Sequence, residues 1–252
     1  MIEILSLYDD VYISDQRLID GKLGLLDDKY IYFIMSIDDE EVIHMEQATL
    51  AQFLFEQGLQ QVVHPMVNRN GHWITEFGGK RYMVYKYAGT AEQVSVSHGQ
   101  KLAQFHQQNY AYPFEPNYIS SYGKWKSLWI DKLTSFEQEI NELEHLHVTY
   151  HRLALDMLPY IIGISENAIQ YLDESIRFAT YHESDQGTIT FQRYDQQILK
   201  PIIWPEELMY DHPMRDVAEL IRKILWLSEQ GVLECYQFLQ DYHEVNPLSQ
   251  LS

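Results

Sequence analysis

Cysteine is almost absent: Cys235 is the single one in 252 residues. One thiol excludes an internal disulfide and any zinc site built from a cysteine cluster. It stands in Gly231-Val232-Leu233-Glu234-Cys235-Tyr236-Gln237-Phe238-Leu239, a helical pattern that predicts a buried, inert thiol. Long apolar runs are missing as well. No stretch approaches the ~18 consecutive apolar residues of a membrane span. Met1-Ile2-Glu3-Ile4-Leu5 lacks the basic start and apolar core of a secretion signal, so synthesis in the cytoplasm is expected. Basic residues are scarce, with 18 Lys and Arg against 37 Asp and Glu and a formal net charge of −19. Binding to a phosphate backbone rests on clustered Lys and Arg, so no nucleic-acid partner is expected. An anionic membrane surface is disfavoured for the same reason.

What remains is ordinary globular material, 46% hydrophobic and 22% charged, long enough for one large domain or two lobes. The first third reads as strands around one helix. Asp10 to Ile19 and Lys22 to Ile37 are rich in β-formers and meet at Asp20-Gly21, a hairpin signal. Tyr30 to Ile37 is nearly all apolar, which predicts a strand buried on both faces. Glu41 to Gln57 reads as a helix stopped by Gly58. Val62 to Val67 and His72 to Phe77 are expected to pair across Asn70-Gly71, and Gly78-Gly79 turns into Arg81 to Tyr87.

Ala88-Gly89-Thr90 breaks this pattern, and helices dominate beyond it. Ser97 to Asn109, Trp125 to Leu146, Tyr150 to Phe178, Asp216 to Leu227 and Val232 to Tyr242 carry helical patterns. Pro159 and Gly163 are expected to bend or split the third. Thr188 to Phe191 and Leu199 to Ile203 are short strand candidates. The expected organisation is a β-rich lobe over 1–88 and a helical lobe over 89–252.

Strands with one helix, a hinge, then helices with a small hairpin is the element order of the protein-kinase-like fold. Tyr85-Lys86-Tyr87-Ala88-Gly89 resembles the hinge of the aminoglycoside phosphotransferase and choline kinase superfamily. Lys101-Leu102-Ala103-Gln104-Phe105-His106 resembles its Leu-x-x-Phe-His helix. Arg215-Asp216-Val217-Ala218 resembles the helix after its metal loop. Within that superfamily the run from Asp211 to Glu219 is similar to the spore-coat-associated kinase-like proteins of the CotS/YutH type. The resemblance implies an α+β, bilobal protein-kinase-like fold with a small β-rich N-lobe and a mainly helical C-lobe. It also implies a place in the bacterial spore coat, with other coat proteins as partners.

Phosphoryl transfer needs a lysine on the phosphates, an acid to orient the nucleophile and oxygen ligands for magnesium. Lysine is absent from Tyr30 through Gly79, and the strand that carries it in the superfamily, Tyr30 to Ile37, is uncharged. Glu46, at the place of that lysine's partner, is therefore expected to face water. The catalytic loop can be aligned in two registers. One runs through Tyr181-His182-Glu183-Ser184 and puts Ser184 at the catalytic acid. The other follows Thr188 to Phe191 and puts Phe191 at the family histidine and Arg193 at the acid. The magnesium-binding asparagine falls on Ile189 or Ile198. Counting back from Asp216 places Trp204 at the metal-binding acid, and an indole cannot ligate magnesium. Asp185, with Glu206 or Glu207, is the only rescue for such chemistry. Gly21 and Gly24 suggest a nucleotide-covering loop, although a hairpin turn is their commoner use.

The expectation is thus a kinase-like protein without catalysis or cofactor, its cleft filled by apolar residues or used for another ligand. A divergent phosphotransferase and a nucleotide- or metabolite-binding module are the alternatives. Asp216, Arg215 and His212 are expected in structural roles: Asp216 caps its helix or ties the catalytic-loop backbone, and His212 anchors the preceding turn. His106 is expected to pack between elements. His145, His147 and His151 do not make a zinc motif and are expected to face solvent. The 19 tyrosines are mostly core, though an aromatic surface would suit partner contact or oxidative cross-linking.

Overall fold

In the computed structural model of the chain, residues 2–37, 40–89, 96–142, 149–178 and 180–249 are described. They divide into two compact units, Met1–Ser120 with Gly187–Pro247 and Ser121–Gln186 with Leu248–Ser252. The expected lobe boundary at 88–90 reaches Thr90, which lies outside the described residues.

The first unit opens with a short helix, α1 (Ile2–Leu5), and a hairpin of β1 (Asp15–Ile19) and β2 (Lys22–Leu26). Ile19 faces Lys22 across a two-residue turn. Asp20 and Gly21 have φ of 48° and 77°, the left-handed pair that such a turn requires and that glycine adopts without a Cβ clash. β3 (Ile31–Ile37), α2 (Glu41–Glu56), β4 (His64–Pro65), β5 (Ile74–Phe77) and β6 (Lys80–Tyr87) follow. The sheet order is β1-β2-β3-β6-β4, with β5 also on β6. All its pairings are antiparallel.

Strand alternation sends side chains into two cores. Phe33, Ile37, Met83, Tyr85 and Tyr87 meet Ala48, Val63, Ile202 and Trp204 on one side. Tyr32, Leu25 and Val84 meet Ile4, Leu5 and Tyr8 of α1 and its exit on the other. The expected pairing of 62–67 with 72–77 is corrected: β4 and β5 both pair β6, at Tyr85–Lys86 and at Lys80–Met83. Asn68 explains the turn between them. Its Oδ1 accepts from the N–H groups of Asn70 and His72, and its Nδ2 donates to Ile74 O and Thr75 Oγ1. The side chain replaces ladder bonds that the two runs would otherwise make to each other.

α3 (His98–Asn109) starts with Ser97 and Gln100 in a reciprocal capping box. In the second unit, α4 (Trp125–Glu142) and α5 (Thr149–Phe178) form a helix pair. Lys126 Nζ lies 2.6 Å from Asp173 Oδ1 across it. Pro159 is inside α5, which runs as one helical element through Pro159 and Gly163. The first unit then resumes with β7 (Thr188–Phe191), β8 (Leu208–Asp211), α6 (Met214–Leu227) and α7 (Gly231–Val245). The strand expected at Leu199 to Ile203 is corrected: antiparallel pairing joins β7 to β8, while Ile203 makes one isolated parallel bridge to Val62. The chain is thus a mixed α+β fold, sheet-rich in its N-terminal part and helical in its C-terminal part.

Candidate functional site

The start of α6 grips the end of β7. Asp216 is fully buried in the first turn of the helix. Its carboxylate accepts from the Phe191 N–H at 3.1 Å and lies 3.0 Å from His106 Nε2. His106 Nδ1 is 2.8 Å from the Tyr242 hydroxyl, and Asn246 Nδ2 donates to that hydroxyl at 2.9 Å. An ionised carboxylate can only accept, so Nε2 carries the imidazole proton and Nδ1 accepts from Tyr242. Burial raises the Asp216 carboxyl above its ordinary value, opposed by His106, the Phe191 N–H and Arg215. Asp216 does not cap α6: Pro213 is the N-cap and makes no side-chain bond.

Arg215 takes the other polarity of the same loop. Its Nε donates to Phe191 O at 3.2 Å, its Nη2 to Gln192 O at 2.5 Å and its Nη1 to Asp211 Oδ2 at 3.1 Å. One residue accepts from the loop and its neighbour donates to it, so residues 191–192 are fixed from both sides. The His212 N–H donates to Asp211 Oδ1, and His212 Nδ1 accepts from the Met214 N–H at 3.2 Å.

The two registers weighed from sequence have different structures. Glu183–Asp185 is a single 3-10 turn in the second unit, and His182 Nδ1 lies 2.9 Å from Ser184 Oγ. Asp185 is buried there, accepting from the His182 N–H at 2.7 Å and from the Ser249 hydroxyl. The other register runs along β7 into the clamped loop. Beyond Phe191 the chain turns outward, so Gln192 and Arg193 are exposed while Tyr194 and Ile198 are buried. Tyr194 points back to His98, with 2.6 Å between hydroxyl and Nε2.

Residues 197–207 then run against the sheet. Tyr87 donates its hydroxyl to Pro201 O at 2.9 Å, and Gln61 Nε2 donates to Lys200 O at 2.6 Å. Ile203 N donates to Gln61 O, and Val63 N to Ile203 O. These bonds deliver Trp204 into the core of the sheet at 5% exposure. Its ring stands edge-on to Phe33, centroids 4.8 Å apart. Its Nε1 donates to Asp20 Oδ2 at 3.0 Å. Lys22 Nζ sits 4.5 Å from the centre of the same ring and 2.6 Å from Glu206 Oε1. Glu207 is turned inward: its Oε2 accepts from the Trp204 N–H at 3.1 Å and its Oε1 from Gln197 at 3.3 Å. Glu206 and Glu207 are therefore engaged with Lys22 and with the loop's own amides.

Glu46 is a correction. It does not simply face water: its carboxylate accepts from the N–H groups of Asn117, Tyr118 and Ile119 at 2.8, 2.9 and 3.1 Å. With no lysine on β3, the acid serves the connection after α3. Sequence reasoning also passed over Asp20, Lys22 and Asp211. Only Asp211 had a local signal, its i,i+4 spacing to Arg215. His145 and His147 lie outside the described residues, as does the side chain of His151. Among the described residues no group of three or more His, Cys, Asp and Glu is placed to hold a metal. No described helix is long and apolar enough to cross a membrane.

Comparison with known proteins bears on this site. Among solved structures, an aminoglycoside phosphotransferase from Alicyclobacillus acidocaldarius superposes with a TM-score of 0.57 at 16% identity, covering 96% of this chain and 76% of that one. The spectinomycin phosphotransferase APH(9)-Ia, solved with ADP and spectinomycin, gives 0.55 at 13% identity, covering 98% and 78%. Both establish the fold. The endospore coat-associated protein YutH of Bacillus subtilis (strain 168) is 33% identical over 214 residues, 81% of this chain. The chain spans 62% of that relative's length. A family model described as "Spore coat putative kinase YutH" matches residues 5–252. The expectation that the chain is not an enzyme is corrected by these findings: its family is described as one of kinases, and its fold is shared with phosphotransferases, one of them with ADP bound. Loss of the familiar acids and lysine does not by itself take a chain out of that class. With residues 5–252 matched, the chain belongs to the YutH family of spore coat kinase-like proteins.

Proposed function

We propose that this chain is a kinase-like component of the bacterial endospore coat that works there by contact with other coat proteins. Its coat-associated relative supports the location. The observation that carries the contact role is a stripe along α5. Leu153, Met157, Tyr160, Ile164 and Tyr171 are all exposed. Their spacing of three and four places them along one helix face, with Asn167 completing the interval. An apolar row of this length on a strongly acidic chain is the surface that a partner helix would cover.

The test is a fluorescent fusion of the chain in sporulating Bacillus cells, followed by extraction of the coat fraction. The wild-type fusion should ring the forespore and leave with the coat. A Leu153→Glu, Tyr160→Glu, Tyr171→Glu variant, folded by circular dichroism, should stay diffuse. A diffuse wild type, or a triple variant that assembles equally well, would end this reading.

A second reading has its own observation. The Lys22–Glu206 pair places a cation and a carboxylate beside Trp204, the position at which the superfamily holds its metal. A phosphotransferase with a divergent site would draw on that pair, because the uncharged β3 has none to offer. Phosphate release from Mg·ATP in the presence of coat extract, lost in Lys22→Ala, is the result this reading requires.

A further inference from the structure

The turn between β1 and β2 meets the 204–206 segment only through side chains among the bonds described. The Trp204 indole donates to Asp20, Lys22 pairs with Glu206, and the Lys22 ammonium lies over the Trp204 ring. Each contact is of a kind that competes poorly with water. Lys22 and Glu206 keep 28% and 39% of their side-chain surface exposed, so their attraction is screened by solvent and salt. Trp204 itself is buried, and what holds it from above is this hairpin tip.

We propose that Lys22 is a phosphate-binding lysine held shut by Glu206, with Trp204 filling the space that the ligand would take. Lys22 lies at the start of β2, the neighbour of β3, so a cation reaches the cleft side of the sheet from one strand further out. A glutamate carboxylate 2.6 Å from an ammonium occupies the position that a phosphate oxygen takes in a charge-assisted contact. Asp20 and Glu206 are both acidic, so the incoming group is a phosphate chain carrying a divalent cation, as in a magnesium nucleoside triphosphate. A bare anion would meet repulsion from the two carboxylates. Opening requires Lys22 to exchange Glu206 for phosphate and Trp204 to leave its indole bond to Asp20. The inference rests on the kinase-like cleft and not on the coat role, which the fusion experiment tests separately.

Titration calorimetry on the full chain decides it, with Mg·ATP, magnesium tripolyphosphate and magnesium chloride alone as probes. Wild type should bind Mg·ATP in the millimolar range or more weakly. Glu206→Gln removes the internal competitor and should tighten binding at least tenfold. Lys22→Ala in the Glu206→Gln background should abolish that gain. Both positions are partly exposed, and unchanged melting temperatures confirm intact folding. An equal gain with tripolyphosphate supports phosphate on Lys22 and assigns recognition to the phosphate chain. No gain in Glu206→Gln, a gain that survives Lys22→Ala, or equal binding of magnesium chloride alone overturns the proposal.

Discussion

Trp204 stands edge-on to Phe33 with ring centroids 4.8 Å apart and an interplanar angle of 77°. Phe33 is a central residue of β3, the strand that carries the phosphate-binding lysine in the superfamily, and Trp204 stands where the superfamily places its metal-binding acid. Two positions that would hold charge are here joined by an aromatic contact. The cleft side of the sheet is consequently an apolar core, closed at its rim by Asp20, Lys22 and Glu206.

That core should be sensitive to truncation. Trp204→Ala is expected to cost about 3–5 kcal/mol, as large aromatic-to-alanine changes in packed sites do. Trp204→Phe keeps most of the packing and removes the bond to Asp20, so it should cost less. Urea unfolding followed by circular dichroism measures both.

The clamp on residues 191–192 gives a second expectation. Asp216→Ala strips a fully buried carboxylate from His106 and the Phe191 N–H and leaves both without that acceptor. The expected loss is about 3–5 kcal/mol, the usual cost of breaking one side of a buried pair. Asp216→Asn retains an acceptor for Phe191 and should lose less.

Much of this architecture is legible in the sequence, and the parts that are not have a common cause. The Asp20-Gly21 turn, the α2 stop at Gly58 and the Ser97 cap are local chemistry, readable within four residues. Arg215 and Asp216 stand out because the Arg-Asp-x-Ala pattern is compact. Residues 197–207 were misread as a strand because their partners, Gln61, Val63 and Tyr87, are more than 100 positions away. The same distance hid the bond between Asp20 and Trp204. Glu46 was misread because its partners are backbone N–H groups, which carry no residue signature. The exclusion of enzymatic activity failed differently: it read an absence of known side chains as an absence of function.

Glu46 lends itself to a local test. Glu46→Ala removes three backbone hydrogen bonds from one connection, and a loss of about 1–3 kcal/mol is expected. Amide exchange at Tyr118 and Ile119 should quicken well beyond the global change. Exchange unchanged at those two amides would show that the carboxylate does not hold the loop.

Histidine burial sets a pH dependence. Burial, helped by Lys86, brings His64 from its ordinary 6.5 to about 4, and burial with Lys101 does the same for His98. Between pH 6.5 and 4 the unfolded chain therefore binds more protons at these sites, so their contribution to stability falls as the solution is acidified. The raised Asp216 carboxyl works in the opposite sense above its ordinary value. Comparing wild type with His64→Phe isolates the histidine: the drop in urea midpoint from pH 7 to pH 4.5 should be smaller in the variant.

Gly99 marks a close approach of α3 to α7. A Cβ there would sit 2.5 Å from Phe238 O and 2.9 Å from Tyr242 N, both backbone atoms. Gly99→Ala should cost about 1–3 kcal/mol through overpacking, with a visible drop in melting temperature.

The central claim is that Trp204 occupies the cleft. Fluorine NMR of 5-fluorotryptophan-labelled protein tests it directly, with the Trp204 resonance assigned by its loss in Trp204→Phe. Trp226, 84% exposed, is the internal reference for a solvent-facing ring. The account predicts that the Trp204 resonance shows little or no solvent isotope shift between H2O and D2O, while that of Trp226 shows the full shift. A Trp204 isotope shift as large as that of Trp226 would place the ring in water and contradict the account.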